Sequence, residues 1–142
     1  MSTTLLSARR ELPGDVFLAP CAVSGGTLQG YIRLLMDQTG GKLCLRLEPV
    51  YMVFQLPCPD GKGQALTLDA LRQRYDGQTC HFSEALCTEY FTELRDSRLH
   101  AVLFDSPDSL RRKLRTAEDL GVPLVLVEDP KLLKLLREKH PT

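Results

Sequence analysis

Along the chain, apolar residues gather in short runs between Gly, Pro and charged stretches, and the texture of those runs changes near residue 60. Before it, "DVFLAP" and "KLCLRLEPVYMVFQLPCP" cluster β-branched, aromatic and Leu residues between breakers and read as strands. Between them, Leu28, Ile32 and Leu35 fit a helical stripe, yet "YIRLLM" equally reads as a strand entering a Thr39-Gly40-Gly41 turn. The glycines on both sides favour the hairpin. "PCPDGKGQ" is a loop, because Pro57, Pro59, Gly61 and Gly63 deny it regular structure. Beyond it, "TLDALRQRY" predicts a short helix capped by Thr67. "SEALCTEYFTELRDS" predicts a longer helix from Ser83, with Leu86, Tyr90 and Leu94 beside Cys87 and Phe91 on one face.

The clearest pattern comes last: a strand "LHAVLFD", a helix from Pro107 to about Leu120, a strand "VPLVLVE", and a final helix from Pro130. Ser106 and Pro107 mark a helix start, while Gly121 and Pro123 mark its end. Two apolar runs joined by a helical crossover predict parallel strands with a right-handed connection. The expected fold class is therefore α/β, a two- or three-layer sheet with a parallel βαβ C-terminal unit and a more β-rich N-terminal part. One domain over residues 1–142 is expected, β-rich over 1–60 and α/β over 61–142.

Charge changes the picture only locally. Lys plus Arg (18) equals Asp plus Glu (18), so no global field draws polyanions to the molecule. In the helix from Pro107, a sheet-facing stripe of Leu110, Leu114 and Ala117 leaves Arg111, Arg112, Lys113 and Arg115 on the flanks and outer surface. The last helix repeats the arrangement, with Lys131, Lys134, Arg137 and Lys139 among leucines. One reading is two solvated faces, with Glu118, Asp119, Asp129 and Glu138 as local partners. The other is a phosphate-contacting surface, for which the planar Arg fork is suited. The basic segments contain no Phe, Tyr or Trp to stack on bases.

The stretch "SLRRKLRTAEDLGVPLVLVED", preceded by "ALCTEYFTELRDS" and "LHAVLFD", resembles the C-terminal anticodon-binding domain of class II aminoacyl-tRNA synthetases of the histidyl, threonyl and prolyl type. Ser109, Leu110, Lys113, Leu114, Ala117, Glu118, Leu120, Gly121, Pro123, Val125, Leu126 and Val127 carry the match, which spans about residues 84–128. After Val127 the family continues with glycine and further strands, whereas this chain has Glu128, Asp129, Pro130 and a short helix. The resemblance implies a stand-alone or accessory relative, without the further strands that help form the family's tRNA-binding surface.

Other chemistry is sparse. Asp105, Glu128 and Asp129 fall at the carboxyl ends of two strands, where Mg²⁺ would support phosphoryl or nuclease chemistry. They also precede helix starts, where acids act as caps. Cys80 and His81 are neighbours, but adjacency does not supply the facing geometry of an activated thiol. The five cysteines show no C-x-x-C pair, and the glycine pairs form neither a P-loop nor a dinucleotide fingerprint. With no signal-like segment and no long apolar run, a cytoplasmic location is expected.

The leading expectation is a non-catalytic accessory or adaptor domain with no cofactor, binding RNA or an acidic protein partner through Arg111, Arg112, Lys113, Arg115, Lys131, Lys134 and Arg137. The second is a protein-interaction or oligomerisation module without nucleic acid. The third is a Mg²⁺-dependent enzyme using the strand-end carboxylates.

Overall fold

A computed structural model describes residues 2–23 and 25–138; Lys139 lies outside them. Two sheets share the chain. The first is parallel and contains β1 (Thr4–Leu6), β2 (Phe17–Pro20), β3 (Leu43–Arg46) and β9 (Leu124–Leu126), in the order β1-β9-β3-β2. The second is antiparallel, with β4 (Tyr51–Gln55), β5 (Gln64–Ala65), β6 (His81–Ser83), β7 (Thr88–Arg95) and β8 (Arg98–Phe104), in the order β5-β4-β8-β7-β6. Helix α1 (Leu28–Thr39) links β2 to β3, and α2 (Leu68–Arg74) precedes β6. Helix α3 (Pro107–Asp119) carries the chain from the antiparallel sheet back to β9, and α4 (Pro130–Glu138) follows.

The α/β class and the parallel sheet agree with the sequence reading. Several elements differ from it. The segment 28–39 is a helix, not a hairpin: Thr27 Oγ1 accepts from Gly30 N at its start, and Gly40 at φ 61 closes it in the left-handed conformation. Gly40 thus ends a helix where it was expected to open a turn. The segment expected as a helix from Ser83 is instead a turn followed by β7, which pairs with β8, the strand expected at "LHAVLFD", through a turn at Asp96 (φ 53) and Ser97 (φ 63). Both turn residues have positive φ, the two-residue geometry whose twist matches paired strands.

The strands flanking α3 do not pair with each other. β8 is held on both sides by antiparallel neighbours β4 and β7, whereas β9 lies between β1 and β3 with Val125 opposite Leu5 and Leu45. Parallel pairing across an intervening helix occurs at β2-α1-β3, with Leu18 opposite Cys44. Residues 1–60 are therefore not uniformly β-rich; they supply α1 and most of the parallel sheet.

Strand alternation divides the parallel sheet's side chains. Leu43, Leu45, Leu47, Val125 and Val127 face a layer built from Leu28 and Ile32 of α1, Leu110, Leu114 and Ala117 of α3, and Leu132, Leu133 and Leu136 of α4. The helices α3 and α4 therefore lie on the same side of the sheet. Leu6, Cys44 and Leu126 face the other way, under Leu12 and Val16 of the segment after β1. The antiparallel sheet has a smaller core, in which Val53, Phe91 and Val102 meet Leu71 of α2.

Candidate functional site: a cleft flanked by arginines

Helix α3 begins with a reciprocal cap. Ser109 N donates to Ser106 Oγ at 3.1 Å and Ser106 N donates to Ser109 Oγ at 2.9 Å, with Pro107 in the first turn. This start fixes the rotation of the helix, and with it the direction of each cation. The side chains expected together on the outside are sorted into three environments.

Lys113 points inward, which corrects its assignment to the outer surface. It is fully buried, and its Nζ donates to Asp105 Oδ2 at 2.8 Å. The same oxygen accepts from Val50 N at 3.0 Å, and Asp105 Oδ1 accepts from Ser109 Oγ at 2.7 Å. Ser109 and Lys113 are one turn apart on α3, so both reach back to Asp105, which stands just before the cap. Asp105 is thereby occupied by an ammonium, a hydroxyl and a backbone amide, and its side chain has no exposure. Asp129 Oδ1 accepts from Lys131 N at 2.9 Å as a cap, and Glu128 pairs with Arg9 at 3.3 Å. Among the described residues no group of three or more His, Cys, Asp or Glu side chains could hold a metal ion.

Arg111 turns along the helix to Asp108, 2.6 Å from Nη1 to Oδ1, and is largely covered. Arg112 and Arg115 project outward and line a cleft of about 660 Å³. Its other walls come from Thr27, Leu28 and Gln29 at the start of α1 and from Phe82, Glu84 and Ala85 around β6. The Arg112 guanidinium stacks 4.3 Å above the Phe82 ring, a cation–π contact that holds its planar fork in place. Glu84 is 3.8 Å from Arg112 and well exposed, a loose pair of small worth. The start of α1 is itself largely satisfied, since Leu28 N donates to Ala85 O and Gly30 N to Thr27 Oγ1.

Lys131, Lys134 and Arg137 are exposed on α4, beside α3 on the same sheet face. Lys134 is 4.0 Å from Glu138. The thiols near the buried pair are inert. Burial pushes Cys21 up to about 12 despite the nearby Lys113 charge, and burial also raises Cys87. Cys80, just before β6, directs its Sγ to Gln78 O at 3.8 Å, while the His81 ring lies tilted against Tyr90 at 5.3 Å, so neither is turned to the other as a thiol–base pair.

Sequence reasoning missed Phe82 and the α1 contribution because both depend on tertiary placement. It also missed the buried pair, although the four-residue spacing of Asp105, Ser109 and Lys113 was visible. A cation at the same helical angle as two polar partners is positioned for a shared contact.

No curated protein matches this chain. Among solved structures, the spore cortex-lytic enzyme SleL of Bacillus cereus aligns at TM-score 0.61 and 16% identity, over 89% of this chain and 35% of that one. SleL of Bacillus megaterium aligns at TM-score 0.60 and 15% identity, over 89% of this chain and 34% of that one. The likeness is one of fold, and this chain spans about a third of the length of those structures. No helix of the described residues is long and apolar enough to cross a membrane. In sequence, residues 76–136, from the turn before β6 into α4, match the family model of the anticodon binding domain.

Proposed function

We propose that this protein is a non-catalytic binding module that holds the phosphate backbone of RNA in the cleft flanked by Arg112 and Arg115, with Lys131, Lys134 and Arg137 extending the cationic surface along α4. The observation that carries the reading is the pairing of two outward guanidiniums with an aromatic ring inside one cleft, within the segment that matches the anticodon binding domain. Phe82, packed against the core beneath Arg112, holds that guanidinium in place for a phosphate. Each phosphate neutralised by an arginine releases counterions, so affinity should be set by these few contacts and by salt. The test is fluorescence anisotropy of a labelled single-stranded RNA in low salt. Arg112→Ala with Arg115→Ala should weaken binding at least about tenfold, whereas Arg111→Ala, whose guanidinium is engaged by Asp108, should change it little. Equal affinity in wild type and the double variant would reject the cleft.

A second reading, action on a cell-wall polysaccharide, is favoured by the fold likeness to the spore cortex-lytic enzymes. Glu48 and Glu128 stand just past the carboxyl ends of adjacent strands β3 and β9, where open α/β sheets place ligands. Release of reducing sugar ends from purified spore cortex, abolished by Glu48→Gln or Glu128→Gln, would favour this reading over the first.

A further inference from the structure

The antiparallel sheet is covered on one face by α2, a helix of seven residues. So short a cover leaves part of the face open. Between α2 and the sheet is a cavity of about 280 Å³ lined by Leu71, Arg72, Tyr75, Cys80, Phe91 and Phe104. It shares no lining residue with the arginine cleft. Three aromatic rings shape it. Tyr75 meets Phe91 edge-on at 5.7 Å and 68°, and Phe91 meets Phe104 at 6.0 Å and 51°.

The walls are held in place from outside the cavity. Tyr75 N donates to Leu71 O at 3.0 Å, which caps α2. Arg74, next to it, forms a mostly buried ion pair with Glu93 of β7, tying the end of the helix to the sheet. Gln78 Nε2 then donates to Arg74 O at 3.1 Å across a turn in which Gly77 takes φ 78. At the rim stands one cation, Arg72, mostly exposed and only loosely paired with Asp69 at 3.9 Å.

We propose that this cavity is a binding site for a small aromatic carboxylate, with the ring set against Phe91 and Phe104 and the carboxylate held outside by Arg72. Size supports a one- or two-ring ligand: an apolar cavity of about 150 Å³ engineered into another protein takes up benzene. Flat aromatic ligands gain more than their area from edge-to-face contact with such rings. A single guanidinium at the mouth matches one carboxylate through two parallel hydrogen bonds. Arg72 is the one charged group of the lining, beside the Tyr75 hydroxyl and the Cys80 thiol, so the anion belongs at one end of the ring system. The proposal is independent of the RNA reading.

The chain contains no Trp, so the emission of 2-naphthoate is a clean probe. Titrating the wild-type protein into 2-naphthoate should raise its anisotropy saturably. Arg72→Ala should weaken binding about tenfold or more, and 2-naphthalenemethanol, the neutral analogue, should compete equally poorly. Cys80→Trp, which adds an indole at the cavity wall, should abolish binding, read with the probe excited beyond the indole absorption band, while a cooperative unfolding transition shows that the variant is folded. The proposal is overturned if wild type gives no rise at millimolar probe, if Arg72→Ala binds as well as wild type, or if folded Cys80→Trp still binds.

Discussion

The two sheets of this protein are covered to very different depths. The parallel sheet lies beneath three helices, whose leucines meet Leu43, Leu45, Val125 and Val127 in a continuous core. The antiparallel sheet has one short helix over the face that carries its own core of Val53, Leu71, Phe91 and Val102, and exposed apolar side chains beyond it, with Leu94 75% exposed and Leu99 44%. The depth of cover decides the fate of polar groups. Under the complete layer, α3 is locked in rotation, so each of its cations has one assigned environment. Beneath the short cover, rings stay partly open and form a cavity with a cation at its edge.

The largest expected effect breaks the deep side. Lys113→Met leaves the Asp105 carboxylate buried without its counter-charge, and unfolding in urea should show a loss of about 3–5 kcal/mol. Adding Asp105→Asn should recover part of that loss, because the uncompensated charge is then gone. Next, truncation should cost more where cover is complete: about 3–4 kcal/mol for Leu114→Ala against about 2 kcal/mol for Leu71→Ala, read from the same denaturation curves. Equal costs would remove the contrast between the two regions.

A smaller effect appears in alkaline solution. The Cys21 thiol is raised from 9.0 to about 12 by burial, so above pH 9 the unfolded chain loses its proton while the native state keeps it. Stability from this group is complete below pH 9 and is lost as pH rises toward 12. Cys21→Ala should therefore flatten the decline in unfolding free energy between pH 8 and pH 10 by about 1 kcal/mol. The smallest effect belongs to the shallow side. Leu94→Lys at the exposed hairpin end should change stability by no more than about 0.5 kcal/mol in thermal unfolding.

Much of this architecture was legible because local signals and tertiary demands agree. Ser106, Pro107 and Gly121 bound α3, and Thr67 starts α2, as their capping chemistry requires. The inward stripe of Leu110, Leu114 and Ala117 followed from the helical period alone. Where two periods coexist, the reading went wrong. Tyr90 and Leu94 satisfy a helical spacing, yet Thr88, Tyr90, Thr92 and Leu94 also alternate with Phe91, and the Asp96-Ser97 turn settles the matter for a hairpin. Segment 28–39 failed in reverse, since the Gly40-Gly41 pair serves a helix end as readily as a hairpin.

The candidate site was half legible. Arg112 and Arg115 face out as their helical angle implies, but the position of Phe82 beneath Arg112 depends on the short strand β6, whose His81 and Phe82 carry no strand pattern of their own in the sequence. Lys113 escaped because a surface cation and a buried, carboxylate-bound cation look alike in one dimension. Only the spacing to Asp105 and Ser109 separates them.

The docking of α3 divides its cations, with Lys113 inside on Asp105 and Arg112 and Arg115 outside at the cleft. Brief acetylation of the native protein with an N-hydroxysuccinimide ester, mapped by mass spectrometry, tests it directly. Lys131 and Lys134 should react readily while Lys113 reacts orders of magnitude more slowly, at a rate set by unfolding. Acetylation of Lys113 at the pace of Lys134 would contradict it.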